Sequence, residues 1–516
     1  MALKRPHFAK KAGVRHGAVR RVASQAGGYD GTLSSWHVRR TDFSAEGQER
    51  GRIAARASDL ALNDPHAAST IDSMALGTVG TGIMPQSVPN TVRLGWTEAQ
   101  GVEFSHQAEA AFADWSAGVD PDGTLPFWAL QYTSIHSLLV QGEFFRLPVM
   151  VDNDRFRPLS LAVQSIHASR VVTPADLESD PAVRDGVRID PLGRVLSYYV
   201  FNPDADRCVM SDDPGGQPST EFANIRRRVG HRPGILHGFV RKTDEQFRGV
   251  SVLAPAMKFF RDLSDYLDYE LVGAIVAASF PVFIESTMPG PGAYPGQPGR
   301  TQADRPPRKE LNVAPGQIMY GSAGERPHVL NSNRPGNSFP VFVERLIRAV
   351  GASVGMPYEV VAKDFSQTNY SSARAALLEA WRMFGFYQRW LVDSLCRPLW
   401  RMVIEEAWLR GLIVLPKKTD FYANMAALCR SEWIPPRRGF VDPAKEIEAY
   451  SAGVDNDMLT LAMAIMELTG QDYETVLAQR GREERLRAES ITVRREKNKT
   501  VKKTEEKDES TPVEIA

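Results

Sequence analysis

The stretch RGVSVLAPAMKFFRDLSDYLDYELVGAIVAASFPVFIES, residues 248–286, decides the architecture. Ser251 is a candidate N-cap, and Pro255 falls in the first turn that would follow, where its missing N–H costs nothing. Phe260, Leu263, Leu267, Leu271 and Ala274 recur at spacings of three and four, a single apolar stripe at helical period. Lys258, Arg261, Asp262, Asp265 and Asp268 occupy the other side. Past Leu271 the pattern is apolar all round until Phe280-Pro281, where the proline restricts the residue before it and should stop the helix. The spacing predicts a helix over 253–279, about 40 Å long at 1.5 Å per residue. It begins amphipathic and ends enclosed by protein.

Downstream, residues 285–340 are too rich in Pro and Gly for a long helix. Pro281–Ile284, Leu311–Val313 and Gln317–Tyr320 are expected as short paired strands, with Gly290–Arg308 as a mobile loop. Ser338–Val354 returns to a helical pattern through Phe342, Leu346, Ile347 and Val350, and Gly355-Met356-Pro357 ends it. An irregular stretch at 355–370 leads to Ser371, the expected cap of a helix from Ser372 to about Arg410. That helix would be about 60 Å long, kinked near Pro398 by the missing hydrogen bond. After Asp442-Pro443 come three shorter helical segments, 444–451, 456–469 and 472–488, and then a charged tail at 491–516.

Upstream, residues 1–28 carry Lys and Arg without a single acid and are expected as a disordered basic arm. Helices follow around Ile53–Leu62 and Pro65–Leu76, the second capped by Asp64 and broken by Gly77, Gly80 and Gly82, and then over 102–117 and 127–141. From Glu143 to Val240 the texture turns to strands, including Phe144–Val151, Val187–Ile189, Val195–Phe201 and Ile235–Val240. Asp190-Pro191-Leu192-Gly193 reads as a hairpin turn. The fold class is therefore α+β.

With 516 residues the chain exceeds one core, and 62 basic against 62 acidic side chains exclude a protein that coats nucleic acid through bulk positive charge. Three cysteines, Cys208, Cys396 and Cys429, with no CxxC exclude a disulfide framework or a cysteine zinc site, and read as small buried apolar residues. No run reaches the roughly 18 apolar residues of a membrane span. There is no GxxxxGK[ST], HExxH or EF-hand loop, and GTVGTG (77–82) has the wrong glycine spacing and follows a helix, so it is not a dinucleotide fingerprint. Gly351-Ala352-Ser353-Val354-Gly355 satisfies GxSxG, but it lies in a helical pattern and every histidine precedes it. Glu405 and Glu406 are adjacent and point apart on a helix, which suits solvated positions. His237, in a strand, is expected to be structural. No catalytic residue, metal ligand or cofactor emerges. The competing reading is a cytosolic enzyme, a hydrolase acting near His237 or Ser353.

Taken in order, Tyr29-Asp30, Asn63-Asp64-Pro65, Gly142-Glu143-Phe144-Phe145, Gln246-Phe247-Arg248-Gly249-Val250, Asp364 to Ser372 with its Asn369-Tyr370-Ser371-Ser372-Ala373-Arg374 core, and Asp442-Pro443-Ala444-Lys445-Glu446 resemble the lambda-type portal proteins of tailed bacteriophages. The likeness spans about residues 29–488, and the Pro/Gly-rich loop at 288–308 matches no motif of the family. The resemblance implies a portal fold: an α/β wing (29–252), a stem helix (253–279), a small β-containing clip (280–337), a second stem helix (338–354), a tunnel loop (355–370), a long kinked wing helix with its connection (371–439) and a helical crown (440–490). It implies a homo-oligomeric ring of about twelve copies at one capsid vertex of the virion, assembled in the host cytoplasm. Double-stranded DNA would be packaged and ejected through the ring. The implied partners are the terminase large subunit, the head-completion adaptor and the major capsid or scaffold protein, with no membrane. Asp262, Asp265, Asp268 and Lys363 would line the DNA channel, and Val361, Lys363, Asp364 and Phe365 would belong to the tunnel loop. Alternatively the aspartates pair with Lys258, Arg261 or a neighbouring subunit, and Lys363 with Asp364 or Glu359.

Overall fold

The computed structural model describes residues 43–152, 157–202, 222–278, 282–286, 325–329, 339–416, 419–436 and 443–488, less positions 475 and 486. The arm at 1–28, Cys208, the 288–308 loop with the expected strands at 311–313 and 317–320, and the tail at 491–516 lie outside them. In chain order, helices α1 (Phe43–Asn63) and α2 (Pro65–Val79) precede strand β1 (Met84–Ser87), then helices α3 (Thr91–Leu94), α4 (Glu98–Ser116) and α5 (Phe127–Gln141). A β-rich region follows: β2 (Glu143–Met150), β3 (Leu161–Ile166), β4 (Val183–Arg184), β5 (Val187–Ile189), β6 (Val195–Phe201), β7 (Phe222–Arg226), β8 (Arg228–Val229), β9 (Arg232–Pro233) and β10 (Leu236–Phe239). Helix α6 (Met257–Ala278), strands β11 (Val282–Ser286) and β12 (Glu325–Val329), and helices α7 (Phe339–Val354), α8 (Tyr358–Ala362), α9 (Tyr370–Leu391) and α10 (Arg397–Leu409) come next. Helix α11 (Phe421–Leu428), strand β13 (Ser431–Ile434) and helices α12 (Pro443–Asp455) and α13 (Leu461–Thr469) complete the named elements.

The main core forms where α2, α4, α5 and α10 turn their apolar stripes on one another. Phe104, Phe112, Trp115, Phe127 and Trp400 are all essentially inaccessible, and the Phe112 ring stands 5.4 Å from that of Trp400 and 5.2 Å from that of Phe127. The residues between the helices follow from local chemistry. Asp64 accepts from the Ala67 N–H with Pro65 at the first helical position, as an N-cap should, and Thr97 with Gln100 makes a full capping box for α4. Gly142 ends α5 at φ +89°, a left-handed conformation that a side chain resists.

Strand β2 leaves that glycine and becomes the middle of a three-stranded sheet, β10-β2-β3, antiparallel throughout. A second antiparallel sheet, β4-β5-β6-β7, carries the Asp190–Gly193 turn, where Asp190 and Arg194 close a hairpin and Gly193 takes φ +78°. Phe145, Val187, Ile189, Tyr198, Val200 and Ile235 fill a separate small core between the two sheets.

Several elements differ from the sequence reading, each for a definable reason. Helix α6 starts at Met257, not at 253, which makes it about 33 Å long. Ser251 is buried, its hydroxyl donating to the Leu139 carbonyl while the Val252 N–H donates to the same oxygen, so 251–256 are tied by tertiary bonds to the end of α5 and run as turns. Gly77 does not break α2. It lets the Phe384 ring of α9 approach, since a Cβ there would fall 2.5 Å from that ring. The cap of α9 is Asn369, whose side chain accepts from the Ser372 N–H, and not Ser371. The interruption near Pro398 is a π-helical turn at Val392–Cys396, in which the Arg397 N–H reaches back to Val392. A wider turn accommodates the missing donor without breaking the helix axis. The strand that pairs with 282–286 is 325–329, antiparallel, with Val282 opposite Val329. The pairing of β1 with β13 had no signal in alternation, being four residues on each side.

Glu405 and Glu406 are not solvated; both are buried. Glu406 accepts from the Ser160 and Leu161 N–H groups at 2.6 and 2.9 Å and from Arg410 at 2.8 Å, fastening the start of β3 to α10. Glu405 accepts from Arg232 at 2.8 Å and from Tyr422 at 3.1 Å, and stands 2.7 Å from the His231 ring nitrogen. Against the desolvation that burial imposes, the hydrogen bonds from Arg232 and His231 hold its carboxyl below the usual range. Adjacent helical positions do point apart, but each direction here meets a different structural element.

Candidate functional site

Helices α6 and α7 pack side by side, with the Tyr266 ring 5.6 Å from Phe339 and 4.9 Å from Phe342. The stripe of α6 is buried only in its first half: Phe260 and Leu263 are inaccessible and Leu267 is partly covered. In the second half the apolar side chains stand open, with Tyr269 at 73%, Leu271 at 61%, Val272 at 56% and Ile275 at 57% exposure. The enclosure expected past Leu271 is therefore not supplied by this chain's described residues. At 100° per residue, Asp262, Asp265 and Asp268 fan over about 120° on the side away from Leu263 and Leu267. Asp262 and Asp268 are exposed. Asp265 pairs with Arg261 at 2.9 Å, a contact between i and i+4 on an open surface that contributes little to stability.

From α7 the chain turns at Gly355, φ +75°, and the Met356 N–H donates to the Gly351 carbonyl. Instead of an irregular stretch, residues 358–362 form α8, which packs on α2, α7 and α9. Val361 is inaccessible within the main core, so it faces away from any solvent-filled space. Lys363 follows in the left-handed region, φ +53°. The Asp364 carboxylate accepts from the Ser366 N–H at 2.9 Å, and hydrogen bonding to Ser366 lowers its pKa. Phe365 is 41% exposed, and its carbonyl accepts from Thr368. Residues 363–369 are without regular structure, and they are anchored at one end by α8 and at the other by the Asn369 cap.

The densest chemistry lies elsewhere and was only half legible. Glu143, inaccessible to solvent, accepts from Arg248 through Nε and Nη2 at 2.9 and 2.6 Å, from Arg50 at 3.1 Å and from the Gly249 N–H at 3.0 Å, with His237 Nε2 at 3.0 Å. Arg248 also donates to the carbonyls of Ala168 and Val171, and Arg50 to Asp185. Two motifs separated by a hundred residues, Gly142-Glu143-Phe144-Phe145 and Gln246-Phe247-Arg248-Gly249-Val250, thus meet at one carboxylate. They meet closely: a Cβ on Gly249 would lie 1.9 Å from the Gly142 carbonyl oxygen. Arg50 and Asp185 carried no motif, although Arg50 shares the buried face of α1 with Ala54 and Ala57 at i+4 and i+7.

Burial alone would raise the Glu143 pKa, but the charge of Arg248, the hydrogen bonds from His237 and Arg248 and the charge of Arg50 drive it far below the carboxylate range. Burial lowers His237 to about 4 despite the bond to Glu143, so the ring is neutral at pH 7. Its Nε2–H then donates to Glu143 and Nδ1 accepts from the Tyr198 hydroxyl at 3.1 Å, the tautomer this network requires. Desolvation pushes Tyr198 up to about 12. Each charge is met by a partner, and Glu143, His237 and Arg248 are all but closed to solvent, which suits a structural clamp. Ser353 is unsuited to nucleophilic attack, because it lies within α7 and its hydroxyl donates to the Val350 carbonyl. Cys396 and Cys429 are buried, and burial raises both thiols, Cys429 to about 12.

Comparison with known proteins adds an independent line. The family described as "Phage portal protein, lambda family" matches residues 29–388. The portal protein of Escherichia phage N15 is 25% identical over 482 residues, covering 89% of this chain and 88% of its own. Portal protein B of Escherichia phage lambda is 26% identical over 483 residues, covering 88% of each. Among solved structures, a chain of the neck of a native gene transfer agent particle matches with TM-score 0.40 and 13% identity, covering 80% of this chain and 93% of that one.

Proposed function

The chain belongs to the lambda family of phage portal proteins, and from that premise we propose that about twelve copies close into a ring that serves as a DNA conduit and docking platform. The ring would sit at one capsid vertex of the virion after assembly in the host cytoplasm. The observation that carries the reading is the open apolar second half of α6. Four large apolar side chains on one helix are a surface that a neighbouring copy would cover. The balance of 62 basic and 62 acidic residues fits a conduit. Each cation that neutralises a phosphate strengthens binding through counterion release, so a strongly basic wall would hold DNA in place. Native mass spectrometry of the purified full chain is expected to give a closed ring, and a monomer or dimer under all salt conditions would sink the proposal.

Within that reading, α6 and α7 form the stem, Asp262, Asp265 and Asp268 repel phosphates from the channel wall, and 363–369 is the loop that meets DNA. Asp265 spends part of its charge on Arg261, so Asp262 and Asp268 carry most of the effect. Lys363, held in the left-handed region between a buried helix and a capped one, would give one cation per subunit, enough to brush phosphates without retaining many. Lys363→Ala is expected to leave ring mass and terminase binding unchanged and to alter the yield of packaged, retained genome. Wild-type retention would remove Lys363 from the mechanism. The segment between α6 and α7, of which only the β11–β12 pair is described, would form the clip that docks the terminase large subunit and later the head-completion adaptor, while the outer β-rich region faces the major capsid or scaffold protein.

A further inference from the structure

One face of the sheet β4-β5-β6-β7 packs on the small core, and on the other Ser197 and Tyr199 are also buried while Asn224 and Arg226 are exposed. Val187, Tyr198 and Val200 turn into the small core, with Ile225 packed against it. On the opposite face the register aligns Arg188 of β5, Ser197 of β6 and Arg226 of β7 in one row. Paired residues share a face, and strands lie about 4.8 Å apart, so the two arginine backbones are about 10 Å apart with a serine between them. Tyr199 and Asn224 form the next row on the same face, and the Tyr199 hydroxyl accepts from Arg188 at 3.0 Å.

The chain then continues as Arg227-Arg228. Arg227 reaches the Tyr198 hydroxyl at 3.5 Å, and Arg228 is exposed at the start of the β8–β9 hairpin. Among the described residues, acidic neighbours neutralise little of this. Glu405 is already taken up by Arg232 and His231, and Asp180 stands 3.9 Å from Arg188, a loose and exposed pair. Arg226 and Arg228 are both exposed.

We propose that this arginine face binds the phosphate backbone of double-stranded DNA, at a site built from different elements than α6, α7 and the 363–369 loop. Planar guanidinium groups on a rigid sheet match phosphate oxygens in a way that flexible lysines do not. Beside them the exposed Asn224 amide is a hydrogen-bond former of the kind that positions phosphates, while the buried Tyr199 hydroxyl orients Arg188. A protein partner would call for an accessible aromatic anchor at the centre of the face, and Tyr199, the aromatic residue of the two rows, is already buried by its own chain. Contacts confined to phosphates carry no base information, so the binding is expected to be independent of sequence.

The test uses covalently closed circular plasmid, which cannot thread a closed ring and so reports surfaces outside a channel. The assembled full chain is expected to bind the circle at 50 mM NaCl with an affinity that falls steeply as salt rises. Arg226→Gln with Arg228→Gln should flatten the slope of log K against log salt by about two for each subunit engaged. Arg188→Glu with Arg226→Glu should lower affinity at least tenfold. The basic residues of 1–28 are present in every version, so the differences isolate the sheet. Failure of the wild type to bind the circle, or an unchanged slope in the Gln pair at unchanged melting temperature, would overturn the proposal. So would retention of the wild type on polyglutamate but not on DNA, which would assign the face to an acidic protein.

Discussion

Glu143→Gln is expected to lower the apparent melting temperature of the full chain by roughly 3–5 °C, the consequence of removing one partner from a buried ion cluster at a cost of about 3–5 kcal/mol. Glutamine keeps the shape and some hydrogen bonds, but it removes the principal counter-charge of Arg248 and leaves Arg50 with Asp185 alone. The change should act on both sheets together, because Arg248 also holds the carbonyls of Ala168 and Val171 and Arg50 holds Asp185. Glu143→Leu with Arg248→Met should recover part of the loss, since an apolar pair leaves fewer charges stranded. If Glu143→Gln melts within a degree or two of wild type, the clamp is dispensable.

Acid should weaken the same clamp, with a definite sign. The folded-state pKa of Glu143 lies below its ordinary value of 4.5, so its contribution is complete above that pH and is lost as pH falls. His237 titrates at about 4 when folded against 6.5 when free, so between those values the unfolded chain takes up a proton that the folded chain refuses. Both effects destabilise the protein as pH falls. The wild type should lose melting temperature between pH 6.5 and 4, and His237→Asn should show a flatter profile across that window. Parallel profiles would remove His237 from the linkage.

Val272→Asp combined with Ile275→Asp should abolish ring formation while leaving the subunit folded. Both side chains are more than half exposed in the single chain, so their replacement disturbs little that the subunit itself buries, and its melting temperature should shift by only a degree or so. In a ring the same positions would place charges in an apolar seam, where desolvation is costly. Native mass spectrometry should therefore report monomer. Leu62→Asp, at a site 82% exposed on α1, is the control and should leave rings intact. Rings of normal mass in the double variant would show that the open half of α6 is not a subunit contact.

Legibility from sequence followed the range of the forces involved. The Asp64 cap, the Asp190–Gly193 turn and the strands at Val187–Ile189 and Val195–Phe201 depend on residues a few positions apart, and they appear where periodicity and turn chemistry place them. Ser251 misled because its hydroxyl is drawn to Leu139, a tertiary partner that no local pattern contains. Gly77 misled for the same reason, its partner being Phe384. The expected irregular segment at 355–370 concealed α8 because Tyr358–Ala362 makes only a little over one helical turn, held by packing and not by propensity. Of the candidate site, the positions of Asp262, Asp265 and Asp268 on α6 were readable. The burial of Val361 and the convergence of Arg50, Glu143, Asp185 and Arg248 were not.

The pairing of Met84–Ser87 with Ser431–Ile434 sets an order of events in synthesis. A nascent chain emerges N-terminus first at about 5–20 residues per second, and until residue 434 has left the ribosome β1 lacks the strand that completes it. Glu406 imposes a similar wait on the start of β3, whose N–H groups at Ser160 and Leu161 stay unanswered until α10 is made. Closure of loops this long is slow, and an open strand edge invites pairing with another chain. The first half of the polypeptide is therefore exposed to aggregation during translation. A truncation before Ser431 should yield insoluble protein and not a smaller stable domain.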